Sequence, residues 1–158
     1  MAIIASKKWV ENVNNVCATN TDLQELAQAI ELTICIRLRA KPEVGLDEDF
    51  NIIMALGEGN ITIKLGDNAT SEEAILIVSM DYETGKAMLM GKKDMVQTYM
   101  AGGMKIAKGN MMELANYSGY LNQITSGMSA FMAGTQWPDE LSGTDLDNFK
   151  ESLKEAMA

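Results

Sequence analysis

The chain contains no histidine. That removes the commonest general base, every Ser–His or Cys–His nucleophile pair, and all histidine-based zinc or iron sites. Cysteine is nearly as scarce. Cys17 and Cys35 are the only two. They fall in different predicted elements, too few for a disulfide framework or a tetrahedral metal site, and read as small buried hydrophobes in a reducing cytoplasm. No apolar run reaches the roughly 18 residues of a membrane-spanning helix. The apolar patch at the N-terminus precedes its lysines, the reverse of a secretory signal, and none is expected. Basic charge is also in deficit. Thirteen Lys and Arg against 22 Asp and Glu leave a net charge of −9, which argues against a nucleic-acid surface and against electrostatic anchoring to anionic membranes. The acidic balance reads as solubility.

Several short motifs lack the parts their chemistry needs. Gly57-Glu58-Gly59 has no third glycine at dinucleotide spacing and lies between strands, not before a helix. Gly91-Lys92-Lys93 has neither the upstream Walker glycine nor a following Ser or Thr. Asp47-Glu48-Asp49 departs from the calcium-loop pattern and reads as a solvated loop. The sequons at Asn60, Asn68 and Asn116 carry no weight without a secretory signal. No catalytic set, metal or cofactor is expected, and the chain is not read as an enzyme.

A length of 158 residues with 47% hydrophobic content suits one domain with a real core. An amphipathic helix opens near Ser6, with Trp9, Val10, Val13, Val16 and Cys17 on one face. A break at Asn20 precedes a second helix, where Thr21-Asp22-Leu23-Gln24 has the form of a capping box and Leu23, Leu26, Ala27 and Ile30 form the apolar face. Three alternating runs predict strands: Leu32, Ile34, Ile36, Leu38; Phe50, Ile52, Met54, Leu56; and Ile61, Ile63, Leu65. Pro42 and Gly45 end the first, and a hairpin through residues 57–60 joins the other two. Residues 74–78 are continuously apolar, as in a strand covered on both faces. Near the C-terminus Trp137-Pro138 marks a turn. Thr144 then caps a last helix with the stripe Leu146, Phe149, Leu153 and Met157.

The region from 81 to about 122 organises the rest. Helix-like segments at 82–90 and 95–100 lead to the break Gly102-Gly103. The strand-like Met104-Lys105-Ile106 follows, and Gly109-Asn110 opens a longer helix with Asn110 as its N-cap. Ten of the 13 methionines lie between Met80 and Met132. Methionine fills irregular apolar space and adapts to varied partners, so this region reads as apolar lining. An apolar stripe at helical spacing is, by itself, usually plain core.

These residues carry a resemblance. Gly91, Lys92, Gln97, Gly103, Lys105, Ile106, Gly109, Asn110 and Met111 follow the order G-K-x4-Q-x4-G-x-(I/L)-K-I-x-G-(N/D)-M. This chain doubles one glycine and carries an extra residue between Ile106 and Gly109. The pattern resembles the sterol carrier protein type two family of sterol-binding and lipid-transfer domains. The order of elements (helix, four strands, two short helices, a strand, helices) matches that family's whole domain over about 9–132. Residues 133–158 form an extension that either closes one end of a pocket or packs on the core. The fold implied is α+β, a mixed five-stranded sheet with helices on one face, within one domain over 1–158. The C-terminus is not the peroxisomal address S-K-L, a departure from the eukaryotic carriers that favours a prokaryotic cytoplasm.

The resemblance also implies an apolar tunnel between sheet and helices. Its expected lining is Met80, Met88, Leu89, Met95, Tyr99, Met100, Met104, Ile106, Met111, Leu114, Met128, Phe131 and Met132. Met100 and Met104 are expected to point inward beside the double glycine, with Lys105 toward solvent. Burying about fifteen methylenes is worth roughly 12 kcal/mol gross, before immobilisation costs. The function expected is to carry a fatty acid, fatty acyl-CoA or sterol-like molecule, with little head-group selectivity because no charged anchor is evident. The alternative is a non-catalytic module in which the same apolar surface makes a homodimer.

Overall fold

The computed structural model describes residue 4 and residues 6–157. Met157, assigned to the stripe of the last helix, has its side chain outside the described residues, and so does most of the N-terminal apolar patch. Helix α1 (Lys7–Thr19) is capped by Ser6, whose hydroxyl accepts from the Trp9 N–H at 3.1 Å. Asn20 is both the end of α1 and the cap of α2 (Thr21–Ala29). Its N–H donates to the Val16 carbonyl, while its side chain accepts from the Leu23 N–H. The cap is therefore Asn20, one residue before the expected Thr21. An Asn already extended at the break can satisfy both helix ends, so Thr21 is free to start the helix.

Five strands form one sheet in the order β3-β2-β1-β4-β5. They are β1 (Leu32–Leu38), β2 (Phe50–Gly57), β3 (Asn60–Gly66), β4 (Leu76–Met80) and β5 (Met104–Lys108). The β1–β4 pair is parallel and the others are antiparallel. The β2–β3 hairpin turns through Glu58 (φ 53°) and Gly59 (φ 80°). Two consecutive positive-φ residues are what a tight turn needs to match the strands' twist.

The fourth strand begins two residues later than its apolar run suggests. Continuous apolarity carries no end marker, so register sets the ends: Ile34 pairs with Leu76 and Leu38 with Met80. Residues 70–73 form a short 3-10 turn that leads into it.

The remaining helices are α3 (Tyr82–Leu89), α4 (Met95–Met100), α5 (Met111–Gly127), α6 (Ser129–Ala133) and α7 (Thr144–Met157). Asp81, Asp94 and Asn110 cap α3, α4 and α5 through side-chain oxygens. Thr144 is the first residue of α7, not its cap; Gly143 precedes it with φ 57°. All the helices lie on the sheet face that presents Ile34, Ile36, Leu38, Phe50, Ile52 and Met54, where one apolar core joins both layers. Along each strand side chains alternate between faces, so Cys35, Ile53 and Ile77 form a second, small cluster with Ala74 on the opposite face. There Arg37 donates to Asn51 and Ser71, both at 2.8 Å.

Two contacts fix how the helices meet the sheet. Asn14 of α1 donates to the Ile63 carbonyl at 3.0 Å and accepts from the Ile63 N–H at 2.8 Å, occupying the outer edge of β3. On α3, Gly85 lies so close to β1 that a Cβ there would sit 2.6 Å from Leu38 Cγ.

Candidate functional site

The methionine-rich region folds over the β1–β4–β5 end of the sheet. Met80 ends β4 opposite Met104 at the start of β5. Met88 and Leu89 lie one turn beyond Gly85 on α3. Of the expected lining, Met80, Met88, Leu89, Met95, Met104, Leu114, Met128 and Met132 are all buried in the larger core cluster. Tyr99, Ile106 and Phe131 are partly buried against it. The fold thus gathers eleven of the thirteen residues into one apolar volume between sheet and helices.

Met100 and Met111 lie elsewhere. Met100 is 73% exposed and Met111 53% exposed, alongside Met112 at 73%. Met100 is therefore not turned inward with Met104, although Lys105 is exposed as expected. Helical geometry explains this. On α4, Met95 and Thr98 form the buried side, and Met100 lies about 140° around the axis from Met95. On α5 the buried positions start at Leu114, leaving the first turn outside.

Several residues of this volume were not among those expected to line it. Trp9, Val13 and Cys17 of α1 belong to the same cluster, as do Leu121 and Ile124 of α5 and Trp137. The Cys17 thiol lies 3.8 Å from the Met128 sulfur. The periodicity of α1 marked its face, but nothing in the sequence said which end of the sheet it would cover. Burial pushes the Cys17 thiol up to about 11. It pushes Cys35 to about 12, against the opposing pull of Arg37. Both thiols are therefore inert at neutral pH.

The two tryptophans, both buried, differ at the indole nitrogen. Trp9 Nε1 donates to Thr135 Oγ1 at 3.1 Å. Trp137 Nε1, in a residue only 1% exposed, has no acceptor among the described residues. The Trp137 ring meets Tyr82 edge-on at 6.4 Å, and Lys86 Nζ lies 5.5 Å from its centroid. Tyr82 donates its hydroxyl to Asp139. Lys86 also bonds Asp139, at 3.1 Å, and Glu140, at 3.2 Å. Burial and this hydrogen bond to Asp139 push Tyr82 above the usual tyrosine range. Burial would raise Asp139, but the hydrogen bonds from Tyr82 and Lys86 outweigh it and leave the carboxyl below its ordinary value. A cleft of about 250 Å³ opens beside this group, lined by Tyr82, Glu83, Lys86, Ala87, Met90, Lys92 and Asp139. A cleft of about 690 Å³ lies between α2 and α5, lined by mixed residues such as Asn20, Leu23, Leu26, Asn122 and Ser126.

Among the described residues no three His, Cys, Asp or Glu converge as metal ligands, and no helix is long and apolar enough to cross a membrane. The acidic loop instead hydrogen-bonds protein: Asp49 accepts from the Ala40 N–H at 2.9 Å and from Asn68 at 3.3 Å.

This layout, helices on one face of a β3-β2-β1-β4-β5 sheet with an apolar volume between, can be compared with known proteins. The sequence profile of the SCP-2 sterol transfer family matches residues 13–122. The chain belongs to that family. The crystal structure of a sterol carrier protein 2 superposes with a TM-score of 0.67 at 17% identity, covering 80% of this chain and 97% of the other. The solution structure of a conserved hypothetical protein of Thermus thermophilus gives 0.67 at 17% identity, covering 82% and 90%. The apo form of sterol carrier protein 2 from Yarrowia lipolytica gives 0.52 at 15% identity, covering 77% and 90%. At these identities the likeness is one of fold. No curated protein matches the chain. The match of the SCP-2 profile ends before α6, so Trp137, its acidic turn and α7 lie outside it.

Proposed function

We propose that this SCP-2 family chain is a non-catalytic carrier, with residues 1–158 as one domain, that holds an apolar molecule between its sheet and its helices in the cytoplasm. The ligand class is a fatty acid, a fatty acyl-CoA or a sterol-like molecule. The observation that supports it is the gathering of Met80, Met88, Met95, Met104, Met128 and Met132 into one volume under α3–α6. Six flexible thioethers can rearrange around a guest more readily than a core of branched residues. Members of the SCP-2 family carry lipids and sterols generally, and the fold provides the same layers here.

Organic extraction of the purified protein followed by mass spectrometry tests this directly. A lipid recovered near one per chain is expected. Titration of delipidated protein with a fluorescent fatty acid is then expected to saturate below tens of micromolar. An extract without lipid, together with no saturable binding, refutes the carrier reading. A second reading draws on the exposed Met100, Met111 and Met112, which would suit a homodimer contact. Sedimentation at micromolar concentration distinguishes it: a dimer that dissociates on mutating these three residues to Gln, in a protein that binds no lipid, favours the interaction module.

A further inference from the structure

The Trp137 indole is the only described residue with a buried side-chain N or O atom left without a hydrogen-bond partner. An indole nitrogen donates and cannot accept, and a buried donor without an acceptor is costly to the fold. The other described residues leave no buried side-chain nitrogen or oxygen without a partner. Trp9, equally buried, bonds Thr135. Trp137 sits in the apolar core and also next to the cleft, because Tyr82 and Lys86, which line that cleft, are the residues that meet its ring. Its ring thus lies between the apolar core and two residues of the cleft lining.

Resting on the carrier reading above, we infer that the Trp137 N–H is the head-group contact of the site, and that it recognises a neutral carbonyl oxygen, as in a lipid ester, in preference to a free carboxylate. The charges around the ring set this preference. Lys86, the cation nearest the ring, is already shared between Asp139 and Glu140, and Lys41, over the Tyr82 ring, is paired with Glu83, so both cations at the ring pair are already engaged by carboxylates. A carboxylate brought there would meet these others and lose its hydration. A carbonyl needs one donor and brings no charge. Lys92, on the cleft, is the one lining cation with no ion pair among the described residues. It is therefore the residue through which a free acid would have to bind if this inference is wrong.

The test uses delipidated full-length protein with two fluorescent probes, cis-parinaric acid and its methyl ester. The ester is expected to bind the wild type more tightly than the acid. Trp137→Phe keeps the ring and removes the donor. It is expected to weaken the ester by about 2- to 10-fold, the range of one hydrogen bond, and to leave the acid nearly unchanged. In ligand-free protein Trp137→Phe is expected to lower stability less than Trp9→Phe, which removes a satisfied bond. The chain has only two tryptophans, so two indole N–H resonances report independently. On adding ester, the Trp137 signal is expected to move downfield while that of Trp9 stays. Ester binding without movement of the Trp137 signal overturns the inference, and the measurement holds even if Trp137→Phe fails to fold. Equal ester affinity in wild type and Trp137→Phe also overturns it, as does tighter binding of the acid that is lost in Lys92→Gln. If neither probe binds the wild type, the carrier reading itself fails and this inference fails with it.

Discussion

Gly85→Ala is expected to destabilise the protein in spite of improving a helix, and the size of the effect can be worked from the packing. Gly85 lies inside α3, where alanine is normally favoured over glycine by about 1 kcal/mol. The added Cβ would sit 2.6 Å from Leu38 Cγ and 3.0 Å from each Leu38 methyl, against a comfortable carbon–carbon separation of about 3.5–4.0 Å. Leu38 has little room to yield, since it is buried in β1 between Phe50 on one neighbouring strand and Met80 on the other. Overpacking of this kind costs about 1–3 kcal/mol, so the net loss is about 0–2 kcal/mol and a single mutant could be ambiguous. A double-mutant cycle removes the ambiguity. Leu38→Ala alone should cost about 2–5 kcal/mol. In that background the clash is gone, and Gly85→Ala should stabilise by about 1 kcal/mol. The expected coupling between the two sites is about 1–3 kcal/mol, within the range for touching residues. Urea denaturation of the four proteins measures it, provided all share one m-value. If Gly85→Ala has the same effect in both backgrounds, to within about 0.5 kcal/mol, α3 does not press on Leu38 and the close approach that positions Met88 and Leu89 is refuted.

Met100→Asp should stay within about 0.5 kcal/mol of wild type, because the side chain is already in water, while Met104→Asp should lose several kcal/mol or fail to fold; thermal melting of the pair checks this. Chelators and reductants should leave the melting temperature unchanged, and native protein at pH 8 should resist thiol labelling that proceeds in urea, because both thiols are buried and pushed up to about 11 and about 12. Stability should fall as pH drops below about 4, the ordinary carboxylate range. Burial opposes ionisation of Asp81, but the bonds from Thr84 and the nearby Arg39 and Lys93 hold its carboxyl below that range. A group whose folded value is depressed stabilises the fold above its unfolded value, and that contribution disappears as pH falls through the folded one. Asp81→Asn should therefore flatten the acid limb of a stability–pH curve measured by urea midpoint.

Much of the fold could be read from local pattern. The break at Asn20, the hairpin at 57–60, the capping of α5 by Asn110 and the bounds of α4 all rest on residues whose chemistry acts within four or five positions. Errors occurred where distant partners decide the outcome. The ends of β4 follow from its register with β1. The outward turn of Met100 follows from which side of a six-residue helix meets the core, and six residues are too few to show a period. Trp137 escaped notice for a related reason. Its sequence neighbourhood announces only a turn, and the missing acceptor becomes visible only when everything packed around the ring is known.

The bidentate bond of Asn14 to Ile63 has a further consequence. A sheet with two available edges can add copies at both ends and grow without limit. Here one side chain holds both backbone groups of Ile63, in the middle of β3, so that border is closed to an incoming strand. The opposite border, β5, carries the exposed Lys105 and also Lys108, whose ammonium bonds the Glu72 carbonyl at 2.6 Å. Any pairing of this chain through its sheet is thus one-ended. It can stop at two copies, but it has no second terminus from which a fibre could lengthen.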